Sequence, residues 1–148
     1  MTDTVLVIRV SGIDLVDPLV EIDNVIAKHG YCWFGKYGRA IPAEKIKPTE
    51  ENSTVVLVLK GKQRDKERFL SRTYEVSGVS TRRPKDGVYP SYYSSKMSRI
   101  SIWLKLEKAK KQLTLSSLHT KSSAQPVSTT LSGSMAAFFY CWNVSQQQ

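Results

Sequence analysis

The chain has 148 residues, 41% of them apolar, and a net charge of +9. That length and composition fit a single domain over 1–148, with an ordered core at 4–144 and enough apolar side chains for a hydrophobic centre. The longest dense apolar segments are VVLVL and MAAFFYCW, well short of the roughly 18 residues that a membrane-spanning helix needs.

MTDTVLVIRV has an acidic residue ahead of its short apolar run and no small-residue cleavage site, unlike a secretory leader. The expected compartment is therefore the cytoplasm, where Cys32 and Cys141, each set among aromatics, read as buried thiols rather than a disulfide. VLVIRV at 5–10 alternates and is β-rich, and Gly12 breaks it. In DLVDPLVEIDNVIAKHG, Leu15, Leu19, Ile22 and Ile26 recur at helical spacing. Pro18 then falls in the first turn and Gly30 stands as a stop, which predicts a helix over 15–29. YCWFGKYG reads as a strand running into a glycine turn, and TVVLVLKG at 54–61 as a buried strand.

KQRDKERF is a charged connector, and TYEVSGVSTR at 73–82 resumes strand character. RRPKDGVYPSYYSSKM is a long loop. ISIWLKLEKAKK alternates, with Ile100, Ile102, Leu104 and Leu106 on one face and Ser101, Trp103 and Lys105 on the other, so Trp103 is expected on the more polar face. The Ser/Thr-rich stretch at 113–134 keeps leucines and predicts short elements. MAAFFYCWNV closes as a buried strand, and SQQQ at 145–148 is an expected frayed end. No internal repeat is present. Five to seven short strands around one main N-terminal helix predict an α+β fold, a small curved sheet or pseudo-barrel.

The charge is concentrated. From Lys60 to Lys111 the sequence holds 15 Lys and Arg against 5 Asp and Glu, a balance of +10, whereas residues 1–59 hold 6 against 8 and residues 112–148 add +1. A basic middle third on a near-neutral chain is the footprint expected for a polyanion, because neutralising phosphates releases condensed counterions. A solubilising surface is the plainer alternative.

The aromatics supply the second half of that expectation. Tyr31, Trp33 and Tyr37 share parity on one strand, opposite Cys32 and Phe34, while Tyr89, Tyr92 and Tyr93 lie in the long loop. Rings that stack on a base contribute about 1–3 kcal/mol per base, and Trp33, Tyr37, Tyr92, Tyr93 and Trp103 are the candidates. Gly35 and Gly38 bracket a tight turn in which Lys36 and Arg39 are candidates to meet a phosphate, and Arg82, Arg83 and Lys85 surround Pro84 just ahead of the tyrosines.

Catalytic and metal chemistry find little support. His29, Cys32, His119 and Cys141 have no metal-ligand spacing, GKYG is not a phosphate loop of the Walker type, and LSGSM lacks the first glycine of a nucleophile elbow. No cofactor is expected.

The order of strand, helix, aromatic GKYG turn, buried strand, basic loop, PSYY loop, SIWLKL strand and late LSGSM segment before FFYCW resembles PUA-like domains, the superfamily with the EVE, YTH and ASCH groups. The resemblance covers roughly residues 4–144. It implies an RNA- or DNA-binding barrel whose pocket accepts a base, often a modified one, in an aromatic cage, and it implies no catalysis. A non-enzymatic protein-interaction or accessory module with its aromatics in the core is the alternative, and an RNA-processing enzyme using His29 and His119 is the third.

Overall fold

The computed structural model describes residues 4–10, 17–37, 54–60, 69–90, 93, 100–121, 125–127 and 138–143. In chain order these form β1 (Thr4–Val10), α1 (Pro18–His29), β2 (Cys32–Tyr37), β3 (Thr54–Lys60), β4 (Phe69–Ser80), β5 (Ile100–Lys108), a 3-10 turn at Leu115–Ser117, β6 (Leu118–Thr120) and β7 (Phe138–Asn143). Seven strands and one N-terminal α-helix among the described residues make an α+β protein that is mostly sheet. None of its helices is long and apolar enough to cross a membrane, among the described residues. The chain forms two compact units, one of residues 1–11, 54–74 and 109–148, the other of residues 12–53 and 75–108.

In the first unit β1 is flanked on one side by β3 and on the other by β7, with β6 beyond β7. β1 and β3 run parallel, pairing Val7 with Val56 and Arg9 with Val58, while β7 runs antiparallel to β1 and pairs Val5 with Cys141. Parallel neighbours need a crossover, and residues 11–53 supply it. Val5, Val7, Val56, Val58, Leu118, Val127 and Cys141 pack into one core cluster. Leu6, Ile8, Val55 and Leu57, on the alternate positions, are buried as well. Burial on both faces explains why VVLVL is a continuous apolar run rather than an alternating one. Each such side chain contributes about 1.5–3 kcal/mol.

Where β4 enters this unit, Gln112 acts as a substitute strand. Its Oε1 accepts from the Thr73 N–H at 2.8 Å and its Nε2 donates to the Thr73 carbonyl at 3.0 Å. The Thr73 hydroxyl in turn accepts from the Leu113 N–H at 2.9 Å, so this buried threonine is satisfied.

The second unit holds α1, β2 and β5, with β4 next to β5. α1 starts at Pro18 rather than at 15, because the Asp17 carboxylate caps the Leu19 and Val20 N–H groups at 2.9 and 3.3 Å; such a cap contributes about 1 kcal/mol. It stops at Gly30, whose φ of 87° is the left-handed conformation that lets its N–H reach the Ile26 carbonyl at 2.7 Å. Leu19 and Ile22 are buried on the side that packs against β2 and β5. β4 is longer than the expected 73–82 segment and begins at Phe69, inside the charged connector.

Candidate nucleic-acid interface

β2 and β5 are antiparallel, and their register pairs Cys32 with Leu106, Trp33 with Lys105, Phe34 with Leu104, Gly35 with Trp103 and Lys36 with Ile102. Strand alternation therefore divides the pair cleanly. Cys32, Phe34, Lys36, Ile102, Leu104 and Leu106 take the helix face and are buried. Trp33, Gly35, Trp103 and Lys105 take the opposite face, and a strap formed by the chain after β4 covers part of it.

That strap is tied down at several points. The Ser80 hydroxyl accepts from the Arg82 N–H at 3.1 Å and donates to the Arg82 carbonyl at 2.7 Å, which turns the chain out of β4. Gly87, at φ 70°, makes the second turn, and the Val88 carbonyl then accepts the Trp33 N–H at 2.9 Å. The Tyr93 hydroxyl completes the edge of β2, accepting from the Gly35 N–H and donating to the Gly35 carbonyl, both at 3.1 Å. Among the described residues β2 has β5 as its one neighbour strand, and the Val88 carbonyl and the Tyr93 phenol occupy its other edge, which blunts an edge that would otherwise invite another chain.

Beneath the strap lies an inner aromatic layer. The Trp103 ring is 5.1 Å from Tyr93 and 5.3 Å from Tyr89, centroid to centroid, and the Arg83 guanidinium sits 5.5 Å from the Trp103 centroid and 5.6 Å from that of Tyr89. Arg83 also donates to the Tyr93 carbonyl at 3.0 Å. Gly35 is required here, since a Cβ on it would stand 2.8 Å from Ile100 and 3.0 Å from the Trp103 ring.

The outer layer is different in kind. Tyr31 and Trp33 are only half-buried, and both donate to Asp86 Oδ2, the Tyr31 hydroxyl at 2.8 Å and the Trp33 Nε1 at 3.3 Å. Asp86 Oδ1 accepts from the Val88 N–H at 3.1 Å. The Lys105 ammonium lies 4.4 Å from the centroid of Tyr31. Gly78 on β4 lies against this layer, and a Cβ there would stand in ordinary contact with the Lys105 stem at 3.4 Å and the tip of the Trp33 indole at 3.7 Å. The electrostatics follow. Desolvation pulls the Asp86 carboxyl up, but hydrogen bonds from Val88, Tyr31 and Trp33 and the Lys105 charge together outweigh it and hold the group below the usual carboxylate range. The same hydrogen bond, with desolvation and the Asp86 charge, raises the Tyr31 phenol.

The expected site residues separate accordingly. Trp33 is a partly exposed ring of the outer layer, and Arg82 and Lys85 are exposed on the strap. Trp103, expected on a polar face, is 1% exposed because the strap covers that face, and Tyr93 is buried with it, so these two support the surface from below. Arg83 is committed to the inner layer. Lys36, expected in a turn, lies inside β2 and is buried on the helix face, where desolvation lowers its pKa. The strand runs through Gly35, so the phosphate-facing turn does not form at that glycine. Tyr37 ends β2 where the register shifts. Arg39, Gly38 and Tyr92 lie outside the described residues.

Asp86, Tyr89 and Lys105 are additions to the expected set. The Asp86-Gly87 dipeptide is a turn signature, and it is the one local signal that marks the strap's bend. Burial pushes the Cys32 thiol up to about 12, with a further push from Asp23, which is the wrong state for a nucleophile. Among the described residues no group of three or more His, Cys, Asp or Glu side chains is placed to hold a metal ion. No protein-family model matches the chain, and no curated protein or solved structure matches it.

Proposed function

We propose that the protein binds single-stranded nucleic acid, stacking an unpaired base on the outer aromatic layer while exposed cations of the same unit meet the backbone phosphates. The observation that carries this reading is the partly exposed indole of Trp33, fixed at its N–H by Asp86 and bordered by Tyr31 and Lys105. A ring held in one orientation loses little entropy when a base settles on it. Arg82 and Lys85 are exposed on the strap that carries Asp86 and supply sequence-independent attraction. The resemblance to PUA-like domains, with their curved sheet and aromatic base pocket, points the same way and extends the reading to a modified base.

Fluorescence anisotropy with labelled single strands and duplexes, between about 50 and 200 mM salt, tests it. Binding of single strands is expected to weaken steeply with salt. Arg82→Ala with Lys85→Ala should weaken all sequences alike and reduce the salt slope by about 0.7 per cation removed. Absence of binding at low salt would select the second reading, a non-enzymatic interaction module, which the burial of Trp103 and Tyr93 favours.

A further inference from the structure

Asp86 is exposed at the N–H edge of the Trp33 indole. A carboxylate offers about four lone-pair positions. Among the described residues three are used, by Tyr31 and Trp33 on Oδ2 and by the Val88 N–H on Oδ1. One acceptor position therefore remains on Oδ1. Among the described residues the cations placed near this surface, Lys105, Arg82 and Lys85, only donate, and Glu107 follows Lys105 on the same face of β5. Asp86 is the anionic acceptor bonded to the indole N–H itself, and it is poorly suited to a phosphate.

A base stacked on the indole brings its edge to this carboxylate. Cytosine carries an amino donor at C4, where uracil carries a carbonyl oxygen. The amino group completes the hydrogen bonding of Oδ1, whereas the carbonyl sets lone pairs against a negative oxygen. We propose that Asp86 is the specificity-determining residue of this surface and that the protein selects single strands bearing an amino-substituted base, cytosine above uracil. The inference rests on the reading of Trp33 as the stacking surface.

The test compares the full chain binding oligo(dC), oligo(dU) and an oligonucleotide with 2-pyrimidinone in place of cytosine, at equal length and one low salt concentration. The last probe lacks the amino group without gaining a carbonyl. Oligo(dC) is expected to bind about tenfold more tightly than oligo(dU), the factor a single charge-assisted hydrogen bond supplies, with the 2-pyrimidinone strand between them. In Asp86→Asn, confirmed folded by its melting temperature, the preference should fall to about unity or invert. Equal binding of dC and dU, equal binding of cytosine and 2-pyrimidinone, or an unchanged ratio in Asp86→Asn would each overturn the inference while leaving the stacking surface in place. Should that variant not fold, the 2-pyrimidinone comparison on the unaltered protein decides. No binding of any probe would remove the stacking surface itself.

Discussion

Truncating the two tryptophans one at a time separates a surface that meets a ligand from a pillar that supports it. Trp103 is 1% exposed and lies 5.1 and 5.3 Å from the centroids of Tyr93 and Tyr89. Loss of a buried aromatic costs about 3–5 kcal/mol, and each lost ring pair adds about 0.5–1.5 kcal/mol. Trp103→Ala should therefore lose more than about 4 kcal/mol. For a chain of this size that is a fall in Tm of more than about 10 °C, at roughly 2–4 °C per kcal/mol. Trp33 is half-buried and gives up a 3.3 Å hydrogen bond to Asp86. Its truncation should cost about 2 kcal/mol, half the buried value, or roughly 4–8 °C. Binding should reverse the ranking. Trp33→Ala is expected to lose about 1–3 kcal/mol of affinity, roughly 5- to 150-fold. Thermal melts followed by circular dichroism and oligonucleotide anisotropy at 25 °C read the two quantities. If Trp33→Ala melts as low as Trp103→Ala and loses binding only in proportion to its unfolded fraction, Trp33 is core and the stacking surface is refuted.

Tyr93→Phe removes two hydrogen bonds at once and leaves the Gly35 N–H and carbonyl without the partner that the hydroxyl provides. The expected cost is about 2–4 kcal/mol, a drop in Tm of roughly 10 °C; a drop below about 2 °C would show that the phenol does not bridge the edge. The Tyr31 to Asp86 hydrogen bond gives stability two pH limits. The Asp86 pKa is lowered in the fold, so its contribution is present above the ordinary carboxylate value of 3.8 and is lost as pH falls through the folded value. The Tyr31 pKa is raised, so its contribution is present below 10.0 and is lost as pH climbs through the folded value. Melts of Tyr31→Phe and Asp86→Asn should show both limbs flattened, and unchanged limbs would contradict the pairing. Burial holds the Cys32 and Cys141 thiols at about 12, so a thiol reagent at pH 8 should label neither until denaturant is added. Rapid stoichiometric labelling of the native protein would contradict their placement.

The elements that were legible in the sequence are those whose signals are local. β1 and β3 announce themselves as β-rich apolar runs, and α1 is bounded by Pro18 and Gly30 within a 3.6-residue repeat, with Asp17 fixing its start more tightly than the leucine spacing did. The alternation of β5 holds from Ile102 onward, with Ile102, Leu104 and Leu106 on one face and Trp103 and Lys105 on the other, but Ile100, expected with the first set, lies beside Gly35 and the Trp103 ring where the register shifts. Which face is wet does not follow from alternation. Trp103 is dry because residues 83–90 and Tyr93 fold back over it, and that cover depends on a contact across 58 positions, between Gly35 and Tyr93, that no short-range pattern encodes. Lys36 failed for a related reason. Its even parity with Cys32 and Phe34 puts it on the helix face once the strand continues through Gly35, whereas the glycines had suggested that the strand ended there.

The strap also explains why basic residues adjacent in sequence have unlike roles. Arg82, Arg83 and Lys85 surround one proline, yet only Arg83 is drawn inward, over two rings and onto the Tyr93 carbonyl. A guanidinium is suited to that place, because it is planar, weakly hydrated and able to stack while it donates. Once committed there, it fixes the segment that ends in Asp86, and Asp86 in turn orients Trp33 and Tyr31. Arg83→Lys should therefore act unlike Arg82→Lys, although both keep the charge. A lysine at 82 still offers a cation to a phosphate and should leave affinity within about twofold, since surface charge acts through Coulomb attraction rather than shape. A lysine at 83 loses the planar stack over Trp103 and Tyr89, each cation–π contact being worth about 0.5–2 kcal/mol. It should lower the Tm and also weaken binding, because the turn that carries Asp86 loses its inner anchor. Equal, small effects of the two substitutions on both readouts would mean that Arg83 holds nothing in place and that the strap is positioned without it.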